Sequence, residues 1–368
     1  MVTRKQVLLS AAAITGGAGA FGAYSHEEGK ESYISAARGI WRRTEGLLGS
    51  SLLVQRELVR YATMAPSSHN TQCWKFHIED QEIAIMPDYA RRCSVVDPDD
   101  HHLFVSLGCA AENLIQAALA NGLNGTAQFD SIEADHIRVA MEPTKPVVSP
   151  LFQAITERQC TRADYDGKAL SVEELGMLER AGTGNGVQIM LLTEKSAMEK
   201  VIEYVVAGNS AQMNNPAFVK ELKAWIRFGD SEAVRTGDGL FSRTTGNPSV
   251  PRWLGSLLFG MLYAEKSENE KYARQIRSSA GIAVFVSEAN DKRHWVEAGR
   301  CYERFALQAA ALGIRNAMIN QPVEVSALRP QFATYLEIEN GRPDLVVRFG
   351  RGPRMSQSLR RPVQDVMV

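Results

Sequence analysis

The stretch Ala65-Pro66-Ser67-Ser68-His69-Asn70-Thr71-Gln72-Cys73-Trp74 crowds polar side chains onto a backbone interrupted by proline. Ser67, Ser68, Asn70 and Gln72 offer donors and acceptors, and Trp74 offers a flat apolar wall. Such a loop can bond the edge of a planar heterocycle and flank its face. It holds no paired carboxylates, and His69 has no triad partner nearby. A second group is Glu157-Arg158-Gln159-Cys160-Thr161-Arg162. Two arginines four residues apart share one face of a helix, and with the Thr161 hydroxyl they would clamp a phosphate. A third is the C-terminal series Arg348, Arg351, Arg354, Arg360 and Arg361, where Gly350 and Gly352 allow close backbone approach. Taken singly, each arginine group also fits a solvated surface. Asp97, Asp99, Asp100, His101 and His102 have metal-ligand types. Adjacent histidines on a helix diverge by about 100°, and aspartates suit a helix N-terminus, so no metal is expected there.

These groups need elements to hold them. Leu52 to Met64 has helical periodicity and stops at the polar loop. Phe76, Ile78, Ile83 and Ile85 alternate with polar residues around Glu79-Asp80-Gln81, the pattern of a β-hairpin. Asp97-Pro98 reads as a helix N-cap and first-turn proline, with the helix running to about Asn121 before Gly122. His136 to Met141 reads as a strand. Ser171-Val172-Glu173-Glu174 forms a capping box. Val187 to Leu192, Ile282 to Val286 and Leu345 to Phe349 read as strands, and Trp295 to Leu312 as a helix closed by Gly313. Two helices match: Gly108 and Glu112 lead to Gly122 as Gly299 and Glu303 lead to Gly313, each across an alanine-rich face. A small-residue face permits close helix approach, as between two α+β halves fused in one chain. The second half is longer, and the extra segment from Val205 to Lys266 mixes turn signals with aromatics, as a lid or a surface insertion would.

Composition narrows the classes. With 368 residues, 45% hydrophobic and 23% charged, the chain is globular and can bury a large core. A net charge of -1 does not suit a strongly electrostatic nucleic-acid binder. Five cysteines without a CxxC pair exclude a zinc knuckle and do not suit a disulfide scaffold. Residues 1-28 look like an export signal or membrane anchor: Arg4 and Lys5 precede a nearly charge-free run from Val7 to Ser25, with small residues at Ala18-Gly19-Ala20. The alternative is a disordered or surface-packed N-terminal helix, on a cytoplasmic protein. Gly17 to Gly22 fits GxGxxG but lacks the strand and acidic residue of a dinucleotide site.

The polar loop, the arginine pair ahead of Tyr165-Asp166-Gly167, the repeated Gly-Ala helix and the terminal Arg360-Arg361-Pro362 together resemble the nitroreductase superfamily, and its Acg-type branch in particular, over residues 52 to 368. The Thr3-Arg4-Lys5 start is similar to a twin-arginine signal, which would route a folded, cofactor-loaded protein to the periplasm. The resemblance implies an α+β, nitroreductase-like fold: antiparallel-rich sheets flanked by helices, in two similar halves (52-150 and 151-368) forming a single-chain pseudo-dimer, with a lid-like insertion at 205-266. It implies FMN at the interface of the halves. Ser67, Ser68 and Asn70 would meet the ring, with Gln72 supporting. Arg158, Thr161 and Arg162 would grip the phosphate, with Arg351 and Arg361 as further contacts, and Met318 to Pro322 would pass the ring. The second half has Thr183-Gly184-Asn185-Gly186 in place of the loop, so one FMN site is implied. Catalysis would be flavin-based, passing electrons to a nitroaromatic or quinone, with NAD(P)H as the candidate donor. A flavin-sequestering protein is the alternative, and a flavin-free scaffold the third reading. Cys73 stands where relatives carry proline, and Gln159-Cys160 where arginine and serine are common.

Overall fold

The structure is a computed structural model that describes residues 18–44, 50–131 and 135–368, the side chains of 18–27 and 262 excepted. Arg4, Lys5 and most of the expected export segment lie outside the described residues.

Two four-stranded sheets carry the fold. The first has the order β1-β2-β4-β3, from β1 (Trp74–Glu79), β2 (Glu82–Pro87), β3 (Leu123–Asp130) and β4 (His136–Pro143). The second contains β5 (Val187–Leu192), β8 (Gly281–Ser287), β9 (Arg315–Met318) and β10 (Arg342–Gly350), ordered β5-β8-β10-β9. All pairings within both sheets are antiparallel. Reading first, second, fourth, third in each, the two sheets share one topology. In each, a long helix joins the second strand to the third: His101–Ala120 in one, Lys292–Ala311 in the other. A parallel pair, β6 (Ile226–Arg227) and β7 (Leu240–Phe241), lies between β5 and β8.

The two long helices pack at two glycines. A Cβ on Gly108 would sit 2.0 Å from the Val296 carbonyl oxygen, and one on Gly299 would sit 2.0 Å from that of Val105. The contact is reciprocal, as a twofold relation between equivalent helices requires. Backbone meets backbone there, and the Cys109 thiol donates to the Gly299 carbonyl at 3.2 Å.

The sheets differ in cover. Strands of the first alternate buried and open residues, with Phe76, Ile83, Ile85, Ile137 and Val139 turned to the core. In β8 and β10 every residue is buried. Helices Lys195–Met213 and Glu265–Arg277 supply the second cover, closing a core of Met198, Val201, Ile202, Ile276, Ile282 and Val284. The excursion between β5 and β8 is therefore wider than 205–266. Its ends form a layer on the second sheet, and its middle forms an arm with its own small core of Ile226, Phe228, Val250, Phe259 and Tyr263.

Three local expectations are corrected. The helix placed at Asp97-Pro98 starts at His101, after Asp100 at φ 60. Asp97 still caps it from a distance, accepting from the His102 and Leu103 amides at 3.0 and 2.9 Å. The edge strands β3 and β9 were not expected; they follow Gly122 and Gly313 almost at once, and no residue of β3 is fully buried. The arginine pair is not on a helix: Cys160 bridges Asn316 as an extended chain on the edge of β9.

The glycine contact sets a symmetric expectation. Gly108→Ala and Gly299→Ala each force a methyl group onto a carbonyl, and overpacking of this kind costs about 3 kcal/mol. Urea denaturation should show similar losses for both. A loss at one position alone would break the equivalence of the two helices.

Candidate functional site

The polar loop runs from the C-terminal end of helix Ser51–Thr63 into β1. Its backbone is strained: His69, Asn70 and Gln72 have φ of 48, 53 and 54. Three non-glycine residues in the left-handed region need outside support. It comes from the arm and the C-terminal tail. Asn70 donates through Nδ2 to the Gly239 and Leu359 carbonyls. The Gln72 side chain donates to the Gly237 carbonyl at 2.8 Å and accepts from the Arg361 amide at 2.8 Å. Ser67 Oγ accepts the Gln72 amide.

Against this loop lies a cavity of about 70 Å³, lined by Ser67, Asn70, Arg158, Arg162, Met318 and Arg360, among others. Trp41, Leu240 and Thr244 also face it. Trp41 arrives on the N-terminal helix Ala18–Ile40, whose Tyr33 donates to the Gln357 carbonyl; Trp41 itself donates to that of Ser358.

Three guanidinium groups border the cavity in different electrostatic states. Arg158 is buried, donates to the Met64 carbonyl at 2.7 Å, and lies 3.0 Å from the Glu303 carboxylate, its Nε–H not aimed at the oxygen. Burial pushes Glu303 up to about 7, against the pull of Arg158. Arg360 is buried without a carboxylate partner; it donates to the Thr63, Met64 and Ala65 carbonyls at the helix end and to Asn70 Oδ1. Desolvation pushes it down to about 9. The Arg162 guanidinium, half-buried, makes no hydrogen bond or ion pair among the described residues. Among the described residues neither Arg162 nor Arg360 is ion-paired, and an anion with several acceptor oxygens, such as a phosphate, matches them. Arg348 holds the arginine-bearing segment in place by donating to the Thr161 and Ala163 carbonyls.

The structure brings Ser67, Asn70, Arg158, Arg162 and Met318 together at one cavity and leaves five of the expected residues off it. Ser68 does not line it. Gln72 is spent on the arm and tail. Thr161 is fully buried, its amide bonded to the Asn316 carbonyl. Arg351 pairs with Glu174 on the outer side of the fold. Arg361 turns away toward Asp88 and the Asp365 carbonyl. Arg360 takes its place because neighbouring side chains on an extended tail point opposite ways. Trp74 is another correction: it is fully buried in the core, and the aromatic wall at the cavity is Trp41. Trp41 carried no sequence signal, since its contact spans 317 residues.

Cys73 is buried, and desolvation pushes its thiol up to about 12, so it is no thiolate nucleophile. The expected divergence of His101 and His102 does not keep them apart: with Asp97, one ligand atom from each falls within 4.8 Å of the others. Each has a protein partner. Asp97 caps the helix, His101 Nε2 lies 2.8 Å from Asp344 Oδ1, and His102 Nε2 lies 3.3 Å from the Asp344 carbonyl.

No protein-family model matches the chain. It is similar to two Mycobacterium tuberculosis (strain H37Rv) proteins. One, named "Putative NAD(P)H nitroreductase Rv3131", is 23% identical over 306 residues, 81% of this chain and 85% of the relative. The other, "Putative NAD(P)H nitroreductase acg", is 21% identical over 326 residues, 85% and 95% of the two chains. Among solved structures, a nitroreductase with bound FMN from Desulfitobacterium hafniense superposes with a TM-score of 0.39 at 14% identity, covering 60% of this chain and 98% of the other. The FMN-dependent nitroreductase NfnB from Mycobacterium smegmatis, in complex with NADPH, gives 0.37 at 15% identity, covering 59% and 91%. Both scores are low, and the site stands on this chain's own residues.

Glu303 makes the site's stability pH-dependent. Its folded pKa lies above the ordinary 4.5, so its contribution is fully present below about 4.5 and is lost as pH rises through about 7. Relative to Glu303→Gln, the wild type should lose stability between about pH 4.5 and pH 7, at up to about 1.4 kcal/mol per pH unit, and level off above that. Urea curves for both proteins across that range test this; a constant difference would contradict it.

Proposed function

We propose that the chain is an FMN-dependent oxidoreductase of nitroreductase type, with the phosphate held at Arg162, Arg158 and Arg360 and the ring edge met by Ser67 and Asn70. The observation that carries this reading is the unpaired Arg162 guanidinium facing the same cavity as the buried, carboxylate-free Arg360. The similarity to chains named as NAD(P)H nitroreductases supports it. The donor set fits FMN: fixed cations for a dianion, small polar groups for a heterocycle edge, and Met318 as an apolar neighbour. The volume fits less well, since about 70 Å³ is well under the roughly 300 Å³ where ligand sites begin. Entry therefore needs Trp41, the tail or the arm to give way.

FMN, when bound, would supply the hydride and electron transfer. The chain's residues would do the rest. Arg162 and Arg360 would fix the phosphate end. Asn70, tied to Gly239 and Leu359, would hold the loop against the ring. Trp41, Leu240 and Thr244 would exclude water. Glu303 would compete with the phosphate for Arg158, and protonation would release that competition. The acceptor would be a small electron-poor molecule such as a nitroaromatic or quinone, and the donor NAD(P)H.

The closed cavity favours a second reading, in which the same residues hold flavin without turnover. Residues 1-28 we read as an export signal or anchor that carries the folded protein to the periplasm; a reporter fused to residues 1-30 tests this by its location.

The purified chain should be yellow, or become so on incubation with FMN, and should bleach with NADPH or NADH under anaerobic conditions. Colourless protein that cannot be reconstituted defeats both readings, and bleaching by dithionite alone favours the second. Arg162→Ala should weaken FMN binding roughly 50-fold, the worth of charge-assisted hydrogen bonds of about 2–3 kcal/mol. Arg351→Ala should leave it unchanged. Equal effects at the two positions would refute the phosphate assignment.

A further inference from the structure

The arm between β5 and β8 carries an eleven-residue stretch without a charge, Trp253-Leu-Gly-Ser-Leu-Leu-Phe-Gly-Met-Leu-Tyr263. It folds as two short helices, Arg252–Leu257 and Phe259–Leu262. One side is anchored. Leu254 and Leu258 pack against the arm's small core, and Phe259 stacks on Tyr263 with ring centroids 4.9 Å apart. The other side is bare: Trp253 is 70% exposed, Leu257 75% and Met261 58%. Trp253 and Leu257 lie one turn apart on the first helix and Met261 follows on the second, so the exposed apolar side chains cluster on one short segment rather than scattering over the surface. An apolar stretch of this length is too short to span a bilayer, and where it is not buried it suits an interfacial segment.

A second, independent feature lies at the same end of the molecule. A Cβ on Gly29 of the N-terminal helix would sit 2.8 Å from Ser231 Oγ. Next to Ser231, Glu232 forms an ion pair with Arg252, the residue before Trp253. The Asp230 amide donates to Ser249, three residues before Arg252. From Gly29 the helix continues to Ala18, about 16 Å further at 1.5 Å per residue, away from the cavity wall that Trp41 forms at the other end. Upstream in sequence is the nearly charge-free run from Val7 to Ser25. Thus the helix that carries the end of that run, Ala18 to Ser25, and the bare stripe both join one small patch of structure, Asp230 to Glu232.

We infer that the stripe Trp253-Leu257-Met261 seats the arm in the interfacial layer of a lipid bilayer, with the tryptophan at headgroup level. Tryptophan is enriched at that depth, and an anchored helix with one apolar face lies in the interface plane. Arg252 is paired with Glu232 and Lys223 is bonded to the Ser256 carbonyl, so the contact is carried by the three exposed apolar side chains and does not require anionic lipid. It places the bilayer against the excursion whose Leu240 and Thr244 face the candidate cavity. The inference does not depend on FMN.

The test uses the full chain with phosphatidylcholine vesicles, plain or brominated in the acyl chains. Trp41, Trp74 and Trp295 are buried and Trp225 is half-buried, so the signal lost in Trp253→Phe isolates Trp253. That component should shift to shorter wavelength with vesicles and be quenched by the brominated lipid. Leu257→Glu with Met261→Glu should weaken this quenching-detected partition roughly a hundredfold, the worth of two exposed apolar side chains taken out of water. All three side chains are exposed, so the variants should keep the wild-type circular dichroism. The inference is overturned if Trp253 stays unquenched while the chain floats with vesicles through its N-terminal segment, or if the chain does not float. It is also overturned if the shift appears without vesicles and scales with protein concentration, which would make the stripe a contact between two copies.

Discussion

The architecture depends on two helices approaching until backbone touches backbone. At Gly108 and Gly299 there is no space for even a methyl group, and the carbonyls opposite belong to Val296 and Val105, three residues before the partner glycine in each case. So close an approach turns the residues one turn further along each helix inward. Glu112 and Glu303 stand there, both buried. Equivalent by position, they meet different partners. Glu112 faces Arg300 and Arg304 of the opposite helix, which satisfy it locally. Glu303 faces Arg158, which arrives from the segment joining the two sheets. One helix crossing therefore yields a closed salt-bridge cluster on one side and, on the other, an arginine held at the edge of a cavity by a carboxylate that prefers its proton.

The cavity is an electrostatic imbalance kept in place by backbone. Arg360 and Arg348 are both deeply buried and both solvated by carbonyl oxygens rather than carboxylates. For Arg360 those carbonyls end helix Ser51–Thr63, where the helix dipole is negative, so the cation is tolerated without being neutralised. A carboxylate in that position would fill the role of an incoming anion. The strained loop follows the same logic. Its left-handed residues hold only because Asn70 and Gln72 are tied to Gly237, Gly239, Leu359 and Arg361, segments of the arm and tail. The site is built from four distant parts of the chain, and each supplies what another lacks.

This division sets what could be read in advance. The loop was legible because proline and amide side chains announce a turn with donors. The arginine pair was legible by type and spacing, although the segment is extended and sits on a strand edge. The repeat was legible in its glycines because the reason for them, close approach, is a local property of two similar sequences. Other features lacked a local cause. Arg360 and Arg361 are chemically identical neighbours, and which one turns inward depends on the phase of a tail anchored at Phe76. Trp41 and Trp74 exchange roles because burial of β1 claims one and the N-terminal helix delivers the other. Strand β3 is an eight-residue edge strand with no fully buried residue, and β9 is only four residues long, so neither leaves a strong apolar alternation.

The asymmetry of the halves follows from what covers the sheets. The first sheet, one face open, needs only alternating strands. The second, covered on both faces, needs uniformly apolar β8 and β10 and a helical layer for the second face. Once the chain leaves β5 to build that layer, the middle of the excursion has no sheet to rest on. It packs around its own small core and leans on the polar loop through Asp238 and Gly239, where Asp238 pairs with Arg91 and Arg227. Doubling the cover of one sheet thus creates, without a separate domain, the element that both braces the strained loop and faces the candidate cavity. Among the described residues only the second sheet has such an excursion, and it braces the loop before β1. At the equivalent place before β5, Thr183-Gly184-Asn185-Gly186 makes a tight turn under Glu288 and His294. The strained loop thus stands before β1, where the excursion reaches it, and a short turn stands before β5, where the excursion does not.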